Sequence, residues 1–277
     1  MRLLLTLSLA ILFSCSQKEE TVQTPITTEE NESTSQKMDY DDFQKMKEKS
    51  KDKKLFHPSE SGFDLIHRDL ALVYHGAIYE HNLEAKWRED VLQKKKNQLE
   101  EYISSIQNIK REEYDNWSSQ NQKSFLLNAY HAYLIKKMID QNFENLEGLS
   151  ESLKINLFNK SCSYEDFIQK EIIPLDDPRM IMALKCFKDN CPEFRNTVYN
   201  FKGVEGMLEV SATRFLVNET KYKLDKEKKV LALSSFLSSY KEALPSNLKD
   251  YVLNFIKHDK ELYELVSQKD FSVVVFK

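Results

Sequence analysis

Residues that break regular structure are scarce in this chain, which has five Gly and six Pro among 277 residues. It contains no Gly-rich loop, no internal repeat and no HExxH motif, so the usual signatures of nucleotide-binding loops, repeat proteins and zinc proteases are missing. A closed zinc site needs four ligands, and the sequence has only one closely spaced cysteine pair. We therefore predict no cofactor and no bound metal.

The chain also lacks an excess of positive charge. It carries 40 Lys and Arg against 44 Asp and Glu, for a net charge of -4. Its one basic run, QKMKEKSKDKK at residues 44–54, has the composition of a solvated linker end. Because a slightly acidic protein is a poor binder of polyanions, we predict no nucleic-acid partner.

Only one long apolar run occurs, at the start. In MRLLLTLSLAILFSC, Arg2 precedes an apolar stretch from Leu3 to Phe13. The stretch is too short for a permanent membrane span but has the length of a secretory signal core. Its last four letters, LFSC, resemble a bacterial lipobox. We therefore predict that residues 1–15 are a lipoprotein signal and that Cys15 is lipidated; the alternative is an ordinary secretory signal.

Two further regions follow this signal. Residues 16–54 are rich in Thr, Glu, Ser, Gln and Lys, and such a segment buries too little apolar surface to offset its conformational entropy. We expect a disordered polar linker there. Residues 55–277 are long enough for one domain with its own core. The predicted protein is exported and anchored to a bacterial membrane by lipidated Cys15, on the periplasmic or cell-surface side, and its protein or small-molecule partner is undefined.

A helical period dominates the predicted domain. Apolar residues recur at steps of three and four in segments 66–78, 91–106, 124–140 and 204–216. The third segment, SFLLNAYHAYLIKKMID, is the most apolar, and we predict that it is the buried central helix. The short apolar cluster at residues 180–184 is compatible with a helix or with a buried strand.

Cap and strand signals complete the fold prediction. Ser163 before Tyr-Glu-Asp and Asp177 before Pro178 are typical helix N-caps. Residues 222–233 read as a hairpin over a four-residue turn, and the last residues, FSVVVFK, favour a strand. Together these patterns predict an α+β fold: a mostly helical single domain with a small antiparallel β-sheet or hairpin and a C-terminal strand.

The stretch DPRMIMALKCFKDNCPEF places Cys186 and Cys191 five positions apart. A nucleophilic cysteine needs a partner that lowers its pKa. One hypothesis is therefore a loosely papain-like hydrolase or acyltransferase for peptide or acyl substrates. In that hypothesis Cys186 or Cys191 attacks, His131 is the base and Asn128 orients the base.

A disulfide is the alternative for the same two cysteines, because an exported protein folds in an oxidising compartment. In a continuous helix, residues five apart have Cα atoms roughly 8 Å apart, too far for a bridge. The bond therefore requires a turn, and Lys-Asp-Asn followed by Cys-Pro is typical of one. We predict a disulfide between Cys186 and Cys191.

Five stretches of the sequence form a recognisable series of motifs: LLNAYHAYLI at 126–135, SYEDFIQKEI at 163–172, the cysteine stretch at 177–194, VSATRFLVN at 210–218 and LSSFLSSY at 233–240. In order and spacing, across most of residues 65–245, they resemble the family called domain of unknown function 547. The family has no agreed activity, so the resemblance implies a domain of unknown function.

Three positions depart from the family pattern. Members typically have asparagine where this chain has His131, and histidine where it has Ile181 and Gln169. If either family histidine is a general base, this protein has lost it. His131 could replace that base only if the central helix faces the cysteine stretch.

The remaining motif residues have two interpretations. They are Asn128, Tyr130, Asp166, Asp177 and Arg179. Either they cap helices, bind loop backbone and form ion pairs, or they line a pocket beside Cys186. We expect a binding or structural role for the domain, with the cysteine-dependent enzyme as the alternative.

Overall fold

The computed structural model describes residues 59–81 and 84–276, and all of them fall in one compact unit. The predicted signal, Cys15 and the linker lie outside the described residues. The α-helices are α1 (Arg68–Tyr74), α2 (Glu89–Lys94), α3 (Lys96–Gln107), α4 (Arg111–Asp115), α5 (Ser119–Asp140), α6 (Tyr164–Phe167), α7 (Val204–Val217), α8 (Leu248–Phe255) and α9 (Lys260–Ser267). The strands are β1 (Ile78–His81), β2 (Glu84–Trp87), β3 (Lys154–Leu157), β4 (Lys160–Ser163), β5 (Tyr222–Asp225), β6 (Val230–Leu233) and β7 (Ser272–Val275).

Helix α5 is the centre of the core, as its apolar composition predicted. Ser118 caps it by accepting a hydrogen bond from the Asn121 N–H. Every residue from Lys123 to Ile135 is buried, so this middle part of the helix is covered on all sides. Helices α3 and α7 both pack against α5.

The described strands form three small sheets. β1 with β2 and β3 with β4 are two-stranded antiparallel hairpins, and the third sheet has the order β5-β6-β7. β5 and β6 pair antiparallel with Asp225 opposite Val230, as the hairpin signal predicted. β7 then adds to β6 in parallel. The α+β prediction, with a small hairpin sheet and a C-terminal strand, is confirmed.

Two predicted helices were too long. The segment at 66–78 is helical only as α1, and Ile78 belongs to strand β1. The segment at 91–106 is divided into α2 and α3 at Lys95, whose Nζ donates to the carbonyl of Leu72, 2.6 Å away, and to that of His75 near the end of α1. The helical period places Lys95 on the solvent-facing side, but in the structure its side chain caps the C-terminal end of α1.

The short segments were predicted with partial success. Ser163 accepts a hydrogen bond from the Asp166 N–H at the start of α6, as the capping signal predicted. Residues Pro178–Ala183 form a 3-10 helix capped by Asp177, which excludes the strand alternative.

No helix in the described ranges is long and apolar enough to cross a membrane.

Candidate functional site

The two motif cysteines are bonded to each other in the structure. The Cα atoms of Cys186 and Cys191 are 5.7 Å apart, and the chain turns between them through a hydrogen bond from the Cys191 N–H to the Lys188 carbonyl, 3.0 Å. Phe187 takes the left-handed conformation, with φ of 58°, which bulky side chains rarely adopt. We call residues 185–191 the disulfide loop.

Side chains from outside the disulfide loop hold its first carbonyls. The Tyr130 hydroxyl, on the central helix α5, donates to the Lys185 carbonyl. The Ser150 hydroxyl, which is buried, donates to the Cys186 carbonyl over 3.4 Å. The Tyr130 hydroxyl thus holds the backbone of the disulfide loop, and the Tyr130 ring is fully buried.

The far end of the loop is held in the same way. Lys221 Nζ donates to the Asp189 carbonyl, and the Ser234 hydroxyl donates to the Asn190 carbonyl over 2.6 Å. Asn190 Nδ2 in turn donates to the Ser235 hydroxyl, 2.9 Å. The serine-led motif at 233–240 therefore also positions the disulfide loop.

Asn128 fixes the segment that follows the loop. Its Nδ2 donates to the Tyr199 carbonyl over 2.6 Å, and its Oδ1 accepts from the Tyr199 N–H over 2.9 Å. Both ends of the buried amide are hydrogen-bonded to backbone. Asn128 therefore positions the chain at Tyr199 and does not present its side chain to a ligand.

His131 lies in an aromatic environment. Its ring centroid is 4.7 Å from that of Phe194 and 6.0 Å from that of Tyr199. Burial lowers the pKa of His131 to about 3, against a backbone hydrogen bond at Ala183 that raises it. Its Nε2 atom is buried without a hydrogen-bond partner. The ring is therefore neutral and enclosed, whereas a general base works best with a pKa near the operating pH.

Asp177 and Arg179 belong to an ion network that joins three elements. Asp177 Oδ2 is 2.7 Å from Lys123 Nζ on α5 and 2.7 Å from Arg179. Lys123 and Arg179 both also pair with Glu205 on α7. Burial raises the pKa of the Asp177 carboxyl, but the hydrogen bonds from Arg179 and Lys123 are sufficient to hold it below its ordinary value.

Asp166 lies at another surface. It receives a hydrogen bond from the Ser163 hydroxyl, 2.9 Å, and pairs with Lys170, 2.7 Å. The nearby Cys162 is the free cysteine of the described part of the chain, and burial raises the pKa of its thiol. Gln169, where members of the resembled family often carry histidine, is exposed and donates to Glu165.

A groove with a volume of about 900 Å³ opens beside the disulfide loop. Three walls form it: strand β2, the disulfide loop with Glu193, and the C-terminal end of α7 with the turn that follows. We call it the loop groove. It is lined by Glu84, Ala85, Lys86, Trp87, Lys185, Phe187, Lys188, Asp189, Glu193, Arg214, Val217, Asn218, Thr220 and Lys221.

One carboxylate in the loop groove serves two lysines. Glu193 lies 3.2 Å from Lys185 Nζ and 3.1 Å from Lys221 Nζ. The side chain of Lys221 is only 5% exposed. The cost of burying this ammonium group is offset by the Asp189 carbonyl and by Glu193. Within this cluster two ammonium groups share one carboxylate.

Aromatic rings and rim charges surround that lysine pair. Trp87 contacts Phe187 edge to face, with ring centroids 5.7 Å apart, and Lys185 Nζ lies 5.4 Å from the Phe187 ring centre. The cations of the rim are paired with carboxylates: Lys86 with Glu84, Lys188 with Glu151 and Arg214 with Glu80. The wall thus offers both apolar contact and charge to a ligand.

The five motif residues other than the cysteines do not line the loop groove. Instead Tyr130 and Asn128 fix its wall from inside, and Asp177 and Arg179 join the 3-10 helix before it to α5 and α7. Sequence reasoning missed strand β2, Glu193 and Lys221. The only available signal was the position of Glu193 directly after Cys-Pro in the motif.

In the part of the chain that the structure describes, no group of three or more His, Cys, Asp or Glu is arranged to hold a metal ion. The lining of the loop groove supplies lysines, an arginine, carboxylates and aromatic rings.

Comparison with curated proteins and with solved structures found no match. A family model, described as "Protein of unknown function, DUF547", matches residues 114–216. The matched segment contains α5, the disulfide loop and nearly all of α7, whereas strand β2 and Lys221 lie outside it. The family prediction made from the motifs is thus supported: residues 114–216 match the domain of unknown function 547 family.

Proposed function

We propose that this protein is an exported, lipid-anchored bacterial envelope protein whose domain binds a ligand in the loop groove. The observation that carries the proposal is the support of the disulfide loop. Its carbonyls are held by side chains from four different parts of the fold, among them Tyr130 and Lys221. Binding sites depend on such preorganisation, because a wall already fixed loses little entropy on binding.

The size and lining of the groove support the same role. Ligand sites are concave, with volumes of roughly 300–1,000 Å³, and combine apolar walls with a few placed polar groups. The loop groove has about 900 Å³, with Trp87 and Phe187 beside Lys185. Its walls come from elements far apart in sequence, so the site exists only in the folded domain.

The cysteine-dependent enzyme has less support. With Cys186 bonded to Cys191, neither can form the thiolate that attacks a substrate. His131, the proposed base, faces aromatic rings and has a pKa of about 3 because it is buried. Both ends of the Asn128 amide are hydrogen-bonded to the Tyr199 backbone, so the amide has no end left to orient His131. Binding therefore fits these residues better than catalysis.

The export and anchoring part of the proposal rests on the sequence alone. Residues 1–15 have the pattern of a lipoprotein signal, and the polar linker at 16–54 would separate the lipid from the domain. Expression of the full chain in a bacterial host tests it. We expect the wild type in the membrane fraction with a fatty-acid label and the Cys15→Ala variant without label; an unlabelled wild type would contradict the anchor.

Ligand binding is tested by a thermal-shift screen of metabolites and peptides against the full-length protein. Compounds that bind in the loop groove should lose their shift in Thr220→Trp, whose indole fills the groove at an exposed position. The matched control is Thr197→Trp, which is exposed and does not line the groove. If every hit binds both variants equally, the loop groove is not the site.

A further inference from the structure

Strand β2 borders the loop groove along its free edge. All four of its residues, Glu84–Trp87, line the groove. Successive side chains of a strand point to opposite faces, so a groove that touches four consecutive residues runs along the strand's edge rather than over one face. None of the residues of β1 lines the groove. The edge in question is therefore the one opposite β1.

The hairpin register shows which backbone groups this edge presents. Arg88 N–H donates to the Ala77 carbonyl over 2.8 Å, so these two residues form a hydrogen-bonded pair. Bonded and non-bonded pairs alternate in an antiparallel ladder, which makes Ile78 with Trp87 and Glu80 with Ala85 the non-bonded pairs. The N–H and C=O groups of Ala85 and Trp87 therefore point away from β1 and into the groove.

No described backbone segment outside the hairpin hydrogen-bonds to Ala85 or Trp87. An edge of this kind is a template for another strand, and extended peptides bind to such edges through main-chain hydrogen bonds. The groove leaves room for one, since its volume is about 900 Å³.

The opposite wall selects the charge of that peptide. Lys185 and Lys221 share the single carboxylate of Glu193, and each ammonium has three donors to satisfy. The other three cations of the lining, Lys86, Lys188 and Arg214, are each paired with a carboxylate of their own. The positive charge that remains for a ligand is therefore that of Lys185 and Lys221, and Asp189, the lining carboxylate outside these pairs, is on the exposed part of the loop. An acidic group is the complement of this wall.

From these two walls we infer that the loop groove binds an extended acidic peptide, which adds as a strand to β2 and directs a carboxylate to Lys185 and Lys221. This inference rests on the proposed function, because it names the ligand class of the same groove. The peptide's side chains on one face would contact Trp87 and Phe187, while its backbone pairs with Ala85 and Trp87.

The test uses the full-length protein and a fluorescein-labelled hexapeptide of alternating valine and glutamate with a free C-terminal carboxylate. Three comparison peptides are an amidated valine–glutamine version, a version N-methylated at alternate residues, and its counterpart N-methylated at the other residues. We expect the acidic peptide to bind and the neutral one to bind at least about tenfold more weakly, with affinity falling as salt rises. One N-methylated version, but not both, should retain binding, because only one register of N–H groups faces β2.

Variants of Ala85 test the strand addition directly. The Ala85 N–H points outward, so Ala85→Pro removes no bond to β1 but removes one donor to the peptide. We expect binding about three- to tenfold weaker for Ala85→Pro and unchanged for the control Ala85→Ser, which keeps the N–H. Hydrogen exchange of the Ala85 and Trp87 amides should slow when the peptide binds.

Three results would overturn the inference: no binding of the acidic peptide, equal binding of the neutral peptide, or full binding by Ala85→Pro with an unchanged circular dichroism spectrum. The proposed function is judged separately. Neutral or non-peptide hits in the ligand screen that Thr220→Trp abolishes would retain the groove as the site while refuting the acidic peptide, and hits insensitive to Thr220→Trp would refute the groove itself.

Discussion

Asn128, in the middle of the central helix, forms two hydrogen bonds with the backbone of Tyr199. Its Nδ2 donates to the Tyr199 carbonyl over 2.6 Å, and its Oδ1 accepts from the Tyr199 N–H over 2.9 Å. The two residues are 71 positions apart, and both are fully buried. This pair fixes the path of the chain from the disulfide loop back to the core.

The Asn128–Tyr199 pair predicts that the domain loses stability when the Asn128 amide is replaced by a carboxylate, which is charged and has no N–H donor. In Asn128→Asp, an acceptor replaces the donor that faces the Tyr199 carbonyl, and a buried group left unpaired costs about 1–3 kcal/mol. We expect the free energy of unfolding in urea to fall by at least that much. Asn116→Asp is the control, because Asn116 is exposed and also donates to a carbonyl. Equal effects at the two positions would contradict the role given to Asn128.

The disulfide predicts a measurable contribution to stability. Closing so short a loop should contribute about 2 kcal/mol by the chain-entropy estimate, so we expect Cys186→Ser with Cys191→Ser to lower the free energy of unfolding by that amount. Cys162→Ser should change it little, since the Cys162 thiol makes only a weak bond to the Ile155 carbonyl, 3.3 Å.

The oxidation state itself is checked by alkylation of the exported protein and peptide mapping. Without reductant, Cys162 should be modified after unfolding and Cys186 and Cys191 should not. If Cys186 or Cys191 is free and reacts at pH 6 much faster than Cys162, the thiol has a depressed pKa, and the enzyme hypothesis replaces the disulfide.

Two buried histidines predict loss of stability in acid. Burial lowers the pKa of both His67 and His131 to about 3, whereas in the unfolded chain each titrates near 6.5. Between these values the unfolded state binds protons that the folded state does not, so the free energy of unfolding falls as pH falls from 6.5 toward 3. At pH 5 we expect about 2 kcal/mol lost for each histidine.

Urea unfolding at pH 7, 6 and 5 measures this slope. His131→Asn places at this position the residue that members of the resembled family typically carry, and it should remove about half of the slope, because one of the two titrating rings is gone. NMR titration of the ring protons gives an independent check. A His131 that titrates near pH 6.5 in the folded protein would refute the explanation.

The Asp177 network predicts a large effect of neutralising one carboxylate. The side chain of Asp177 is 7% exposed; it pairs with Lys123 and Arg179 and caps the 3-10 helix. Removing one partner from a buried ion pair costs about 3–5 kcal/mol, so Asp177→Asn should destabilise the domain strongly.

Asp90→Asn is the matched control for that measurement. Asp90 pairs with Lys94 at 3.3 Å, but both side chains are more than 70% exposed. Exposed pairs of this type contribute about 0–1 kcal/mol, and we expect little change in the urea midpoint. A small effect at Asp177 would mean that water screens the network as well as it screens the surface pair.

Much of the fold followed from local patterns in the sequence. The period of three and four residues predicted α5 and α7, and side-chain acceptors predicted the caps at Ser163 and Asp177, because these features depend on residues within one or two turns. The hairpin at 222–233 was also readable, since its turn and both strands are contiguous.

Other features depended on contacts that no local pattern records. The helix breaks at Lys95, whose Nζ bonds to carbonyls near the end of α1. Strands β1 and β2 have only four residues each. Short strands carry little periodic signal of their own.

For the site, the sequence by itself determined the ingredients: two cysteines with a turn between them, a tyrosine and an asparagine in the central helix, and serines at 233–240. The tertiary structure decided that Tyr130 and Ser234 hold the disulfide loop and that Trp87, Lys185 and Lys221 meet around one groove. The reason is physical. Hydrogen bonds to backbone carbonyls have no side-chain signature at the receiving position, and residues from separate elements become neighbours only when the core packs.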